Sequence, residues 1–215
     1  MIRDITRPLG TGFPAWPGDP PVEIARAASM SGGAACDVSR LSFGSHAGTH
    51  VDAPSHVLAG AGGLESVSLE SLVGVAIVIH LPGNGPISDG AISAGLETAG
   101  MDALRGARLL FRTGSAETLP RLPASFASLA PEAARRLVEA GVRLVGIDTP
   151  SVDAGDAAGL PVHRIFAGAR VPVLEWLDLR GVDPGLYHLV ALPLRLTGVE
   201  ASPLRAILMD PPPRG

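Results

Sequence analysis

The chain has 215 residues and a formal net charge of −4, and it is 46% hydrophobic but only 4% aromatic. That length fits one domain over residues 1–215 with a sizeable core, built mostly from Ala, Val and Leu; the acidic balance, with no basic cluster beyond Arg135-Arg136, excludes a nucleic-acid footprint. All 17 basic residues are arginine, which excludes lysine Schiff-base, pyridoxal-phosphate and P-loop chemistry.

Residues 1–9 alternate loosely through Ile2, Ile5 and Leu9 and predict an opening strand. The N-terminus carries charges where a signal peptide needs an apolar core, and the apolar runs are too short to span a bilayer, so a cytoplasmic protein without a membrane is expected. Residues 11–21, with Trp16 and Asp19 among four prolines and two glycines, form a loop. Trp16 there either lines a pocket or caps a core edge. Residues 22–28 and 37–43 read as strands around a turn at Ser31-Gly32-Gly33. The single cysteine, Cys36, has no partner for a disulfide and reads as a small buried or half-buried residue.

The stretch from His46 to His56 then concentrates His46, His50, Asp52 and His56 in eleven positions. Two imidazoles and a carboxylate suit zinc or another borderline divalent ion, and three protein ligands leave a coordination position for water. Gly48, the β-branched Thr49 and Val51, and Pro54 argue against a helix. In an extended strand 46, 48, 50 and 52 share a face, but four straight residues span about 13 Å. A bend or bulge at Gly48 is therefore expected.

Residues 59–63 form a glycine-rich loop, a candidate flap over the metal. A short helical or irregular link at 69–73 leads into the apolar run 75–80, a buried strand ending in a structural His80. Ser88 as N-cap and Gly100 as stop predict a helix over 88–99, and residues 108–112 a strand. Pro131 at a first turn and Gly141 at a C′ position bound a second helix over 131–140, which feeds a strand over 142–148. Strand, helix and strand in that order imply a parallel crossover. Asp148, Ser151 and Asp153 follow that strand, either reaching a ligand site or shaping the turn. Glu175 interrupts the apolar run 171–176, and on its own residue chemistry it faces outward, since a buried unpaired carboxylate costs several kcal/mol. Residues 186–196 and 205–209 supply the last strands. No Gly-x-Ser-x-Gly elbow supports a serine hydrolase.

The run His-Ala-Gly-Thr-His-Val-Asp-Ala-Pro-Ser-His at 46–56 resembles in full the signature of the cyclase-like metal hydrolases and, within them, the bacterial kynurenine formamidases. Trp16-Pro17-Gly18-Asp19, residues 111–114 and 146–153, Leu160 to Arg164, Leu174-Glu175 and residues 191–194 extend the likeness over the whole chain. The resemblance implies an α/β fold of mixed β-sheets with a few helices, assembled as a homodimer or higher homo-oligomer. It implies one zinc on His46, His50 and Asp52, and a second on Asp52, His163 and Glu175, which turns Glu175 from an outward residue into a ligand. His56 becomes the general acid/base and Trp16 a contact for a small aromatic substrate. The implied reaction is hydrolysis of N-formyl-L-kynurenine to L-kynurenine and formate. Relatives with the same signature hydrolyse cyclic amides such as isatin or lactones, some with one manganese in place of two zincs. Val57 departs from the aromatic expected after His56, which puts the substrate wall in question. A non-catalytic metal-binding protein is the remaining alternative.

Overall fold

The computed structural model describes residues 1–101, 104–115 and 122–210. Its core is a mixed sheet rolled into a closed ring of seven strands. Four of them run parallel in the order β5 (Val73–His80), β7 (Arg108–Arg112), β9 (Leu144–Ile147) and β10 (Val173–Glu175). Beyond β5, β11 (Gly185–Pro193) and then β12 (Ala201–Met209) pair antiparallel. The three-residue β4 (His50–Asp52) closes the ring, pairing antiparallel with β10 on one edge and with Ala201–Pro203 of β12 on the other. The other half of that β12 edge is taken by β1 (Ile2–Asp4). Two small ribbons lie outside the ring: β2 (Glu23–Ala28) with β3 (Val38–Ser42), and β6 (Pro86–Ile87) with β8 (Ser128–Leu129).

Strand alternation divides the apolar residues into two cores. Ala76, Val78, Leu110, Leu144, Leu174 and Val51 point into the ring, where Leu189, Ala191, Ala206 and Leu208 join them. The residues between them, Ile77, Ile79, Leu109, Phe111, Val145, Ile147 and Val173, face outward beneath the helices. Those helices are α2 (Asp89–Thr98), α3 (Pro131–Ala140) and α4 (Pro161–Gly168), with α1 (Leu69–Leu72) a single turn before β5. They pack through Ile92 and Leu96, Ala133, Ala134 and Leu137, and Val162 and Phe166.

The punctuation expected of the longer helices is present. The Ser88 hydroxyl accepts the Ala91 N–H at 3.2 Å, and Gly141 ends α3 at φ 78°. Residues 108–112 and the strand after α3 are parallel neighbours, as the strand–helix–strand order implies. Three expectations are corrected. Cys36 is exposed, because the β2–β3 ribbon and its connection stand away from both cores. Residues 59–63 do not cover the histidines. Gly60, Ala61 and Gly62 line a separate cleft with Ser68, Ala167 and Pro172, and the Gly62 carbonyl accepts the Ser55 N–H at 3.1 Å. The strand expected over residues 1–9 stops at Asp4, after which Thr6 makes an isolated bridge to Leu177.

Gly146 faces the ring interior, where a Cβ would lie 2.5 Å from Leu110 Cδ2 and 2.8 Å from Leu177 Cδ1. Gly146→Val overpacks this core at about 1–3 kcal/mol. The metal-free protein should therefore melt about 2–12 °C lower, as read by thermal unfolding; an unchanged melting temperature would mean the interior has room to spare.

Candidate metal centre

The site grows from the seam between β4 and β10. Val51 points into the ring, so its neighbours His50 and Asp52 must point out, toward α4. Across the seam Leu174 points inward and Glu175 outward, and the register sets Glu175 directly opposite His50. One pairing thus places two carboxylates and an imidazole side by side, all nearly inaccessible: His50 is 1%, Glu175 3% and Asp52 5% exposed. The outward Glu175 favoured by its residue chemistry alone is corrected here, since the outer face of this strand is covered rather than solvated.

The bend expected at Gly48 is a left-handed residue, φ 66°, and a Cβ there would come within 3.1 Å of Leu9 Cδ1. It folds residues 45–48 back so that His46 Nδ1 lies 3.0 Å from Asp52 Oδ1, a reach a straight strand would not allow. After Pro54 a single 3-10 turn, Pro54–His56, brings the His56 ring to 4.2 Å from the His46 ring and 5.4 Å from that of His163, centroid to centroid.

Helix α4 supplies His163. Leu160 precedes it at φ 50°, an uncommon conformation for a branched residue, and Pro161 opens the first turn. Asp153 caps this helix with both oxygens, accepting the Val162 N–H at 2.9 Å and the His163 N–H at 3.0 Å. The same carboxylate lies 2.7 Å from His163 Nδ1. That contact keeps the Nδ1 proton on Asp153's side and turns Nε2 toward Asp52 Oδ2, at 3.3 Å, and Glu175 Oε1, at 3.0 Å. His50 is oriented in the same manner: its Nδ1 donates to the Gly48 carbonyl at 2.8 Å, leaving Nε2 for the cluster. Glu175 Oε1 also accepts the Val152 N–H at 2.7 Å.

Among the described residues, three atoms at the centre of this cluster, His50 Nε2 and both Asp52 oxygens, are buried with no hydrogen bond, their close approaches to the neighbouring imidazoles and carboxylates being ion-pair contacts. Buried polar atoms are rarely left so, and a nitrogen with two carboxylate oxygens is the donor chemistry of a borderline divalent metal. Asp52 belongs to two candidate ligand groups, one with His46 and His56 and one with His50 and Glu175, each with its ligand atoms within 4.8 Å of one another. The electrostatics agree. Burial opposes charge on His50, but Asp52 and Glu175 outweigh it and carry its pKa up to about 10. Burial likewise opposes the charge of Glu175, yet His163 and His50 hold it at about 2, and Asp52 is well below the usual carboxylate range for similar reasons. His56 moves the other way: burial, with the repulsion of His46 and His163, lowers its pKa against the pull of Asp52.

A cleft of about 460 Å³ opens onto the cluster, lined by His46, His56, His163 and Glu175 on one side and by Trp16, Asp19 and Ser151 on others. Trp16 is therefore a pocket wall, and Phe126 meets it edge-on at 6.2 Å. Of the residues after β9, Asp148 is a turn-builder, accepting the Thr113 and Gly114 N–H groups at 2.8 and 2.9 Å and the Thr113 hydroxyl at 2.6 Å. Ser151 lines the cleft, and Asp153 both shapes the turn and reaches the His163 ring. His80 is exposed at the end of β5, apart from the cluster. Glu200, which sequence reasoning missed, accepts from the Ser45 hydroxyl and stands 3.5 Å from His46 Nε2. It lies between two strands with no spacing to mark it, and only the closure of β12 on β4 brings it to the site.

Buried imidazoles and carboxylates whose unpartnered atoms meet at the floor of an open cleft are the donor set of a divalent-metal site. The chain belongs to the family described as putative cyclase, whose model matches residues 3–154. It is 39% identical over 211 residues to a kynurenine formamidase of Paracidovorax citrulli (strain AAC00-1), covering 98% of this chain and 97% of that one. Among solved structures it resembles a potential metal-dependent hydrolase with cyclase activity, at 31% identity and a TM-score of 0.84 over 99% of both chains. It also resembles isatin hydrolase A of Labrenzia aggregata, at 26% identity and a TM-score of 0.85 over 98% of this chain and 93% of the other.

In the metal-free protein the raised His50 pKa contributes stability that is complete below about 6.5 and fades as pH rises toward 10; the depressed Glu175 contributes stability that is complete above about 4.5 and fades toward pH 2. The chelated protein should therefore be most stable between about pH 4.5 and 6.5. Metal loading should remove the alkaline decline and release protons at pH 8. Melting curves and proton release in a weak buffer check both, and a chelated protein that gains stability from pH 6.5 to 9 would contradict the charge arrangement.

Proposed function

We propose that this chain hydrolyses the formamide of N-formyl-L-kynurenine to L-kynurenine and formate, a step of tryptophan degradation. The observation that carries the hydrolytic reading is the set of orphaned donor atoms at the floor of the cleft. The likeness to a kynurenine formamidase over nearly the full length of both chains supports the substrate.

In this reading His46, His50 and Asp52 hold one zinc and Asp52, His163 and Glu175 a second, with manganese as the other candidate metal. Bound divalent ions supply Lewis acidity that activates water and polarises a carbonyl. The chain's own residues do the rest. Trp16 offers an aromatic wall against which the aryl ring of the substrate rests. His56, kept neutral near pH 7 by its burial, takes the proton of the attacking water and delivers it to the anilide nitrogen as the C–N bond of the formamide breaks. Asp153 engages Nδ1 of His163 and the Gly48 carbonyl Nδ1 of His50, so Nε2 is the nitrogen each ring would present to a metal once its proton is displaced. Hydrolysis of a cyclic amide such as isatin is the second reading, supported by the likeness to isatin hydrolase A. The two share every residue assigned above.

We also read the enzyme as cytoplasmic and as a homodimer or larger. The lone thiol of Cys36 suits a reducing compartment. The β2–β3 ribbon leaves Ile24, Val38 and Leu41 44%, 46% and 58% exposed, and a two-stranded ribbon is marginal without something to pack on.

Metal-replete protein should release L-kynurenine from N-formyl-L-kynurenine in an absorbance assay, faster than it opens isatin; no turnover of the former would sink this substrate. Chelation should abolish the activity, and added zinc or manganese should restore it. His56→Ala should lower kcat by about 100-fold or more while elemental analysis finds the metal retained. Loss of metal from that variant would instead make His56 a ligand, in keeping with its place beside His46 and Asp52.

A further inference from the structure

Thr49 lies between Gly48 and His50 and is 2% exposed, yet it belongs neither to the ligand cluster nor to the cleft wall. Its Oγ1 accepts the Arg7 N–H at 2.8 Å and donates to the Trp176 carbonyl at 2.6 Å, and its own carbonyl accepts the Leu204 N–H at 3.0 Å. In the β4–β10 register His50 faces Glu175, so Thr49 and Trp176 form the next pair along, one step past the last residues of the ladder. The side-chain hydroxyl supplies the cross-strand link at that step.

Trp176 is the residue that requires such a link. Its φ is 56°, a left-handed conformation that costs a bulky residue on the order of 1–3 kcal/mol and persists only where neighbours enforce it. Its N–H donates to the Thr149 carbonyl at 2.9 Å, and its ring meets Phe13 edge-on at 5.5 Å beneath the Arg7 guanidinium. If Trp176 relaxed to an ordinary φ, the chain would leave the strand in another direction. Glu175, joined to it by one peptide bond, would swing away from His50 Nε2 and His163 Nε2, which its carboxylate now approaches to 3.5 and 3.0 Å.

We propose that the Thr49 hydroxyl is a positioning group for the metal centre: by holding the Trp176 carbonyl it fixes Glu175 opposite His50. This rests on the reading of His50 and Glu175 as ligands. The test is metal affinity by chelator competition, together with the visible spectrum of the cobalt-substituted protein, for Thr49→Val and Thr49→Ser. Valine keeps the shape and loses the hydrogen bond, and should weaken binding by about 10–100-fold and alter the cobalt bands; serine keeps the hydroxyl and should restore both. Wild-type affinity and spectrum in Thr49→Val would overturn the proposal, as would an equal loss in the two variants, which would implicate the methyl group. Should Thr49→Val not fold, Thr49→Cys, a weak donor of similar size, takes its place with the same expectations. A wild-type protein that takes up no metal, or a His50→Ala variant that binds it as tightly, would instead remove the ligand reading itself.

Discussion

β4 is three residues long, and both of its edges are hydrogen-bonded: Val173–Glu175 on one side and Ala201–Pro203 on the other. This seam is the constraint on which the rest of the molecule depends. It closes the ring, and so creates an enclosed interior for Val51, Leu174 and Leu204. Because side chains alternate along a strand, filling the interior with Val51 and Leu174 forces His50, Asp52 and Glu175 onto the outer face together. A slip of one residue in β4 would turn His50 and Asp52 into the apolar core and Val51 outward, and a slip in β10 would do the same to Glu175 and Leu174. The apolar packing of the ring thereby enforces the register that the cluster needs.

The outer face is ordinarily the covered face of this ring, where Val145, Ile147 and Val173 lie beneath α3 and α4. Over β4 the cover is α4 and the turn at Pro54–His56, which contribute His163 and His56. Burial therefore reaches the carboxylates from both sides, and the opposing charges of histidines and carboxylates shift their proton affinities apart. The orienting bonds of Asp153 and of the Gly48 carbonyl settle which ring nitrogen each histidine presents.

Much of this was legible in the chain. The signature at 46–56 carries its own chemistry, and Gly48 declared its bend because two imidazoles on a straight strand stand too far apart to close on one ion. The helices over 89–98 and 131–140 were marked by a serine cap, a proline and terminal glycines, all local effects. What was not legible depends on distant pairing. Glu175 reads as an outward residue until the cover of α4 is known, and α4 itself, Pro161–Gly168, is not among the helices expected from the sequence. Asp153 reads as either a turn residue or one that reaches a site, and its carboxylate caps α4 and holds the His163 ring nitrogen at once. Glu200 reaches His46 only through the C-terminal strand.

The seam also fixes an order of events in the making of the protein. His46, His50 and Asp52 precede both of the strands that flank β4, and the second of those neighbours comes only with residues 201–203. On the ribosome these side chains emerge long before the strands that aim them, and until residues 173–175 follow, β4 has neither of its neighbours. Closure of β4 on both edges thus waits on residues 201–203, and a product stalled before β12 would display this histidine-rich segment with one edge of β4 unpaired.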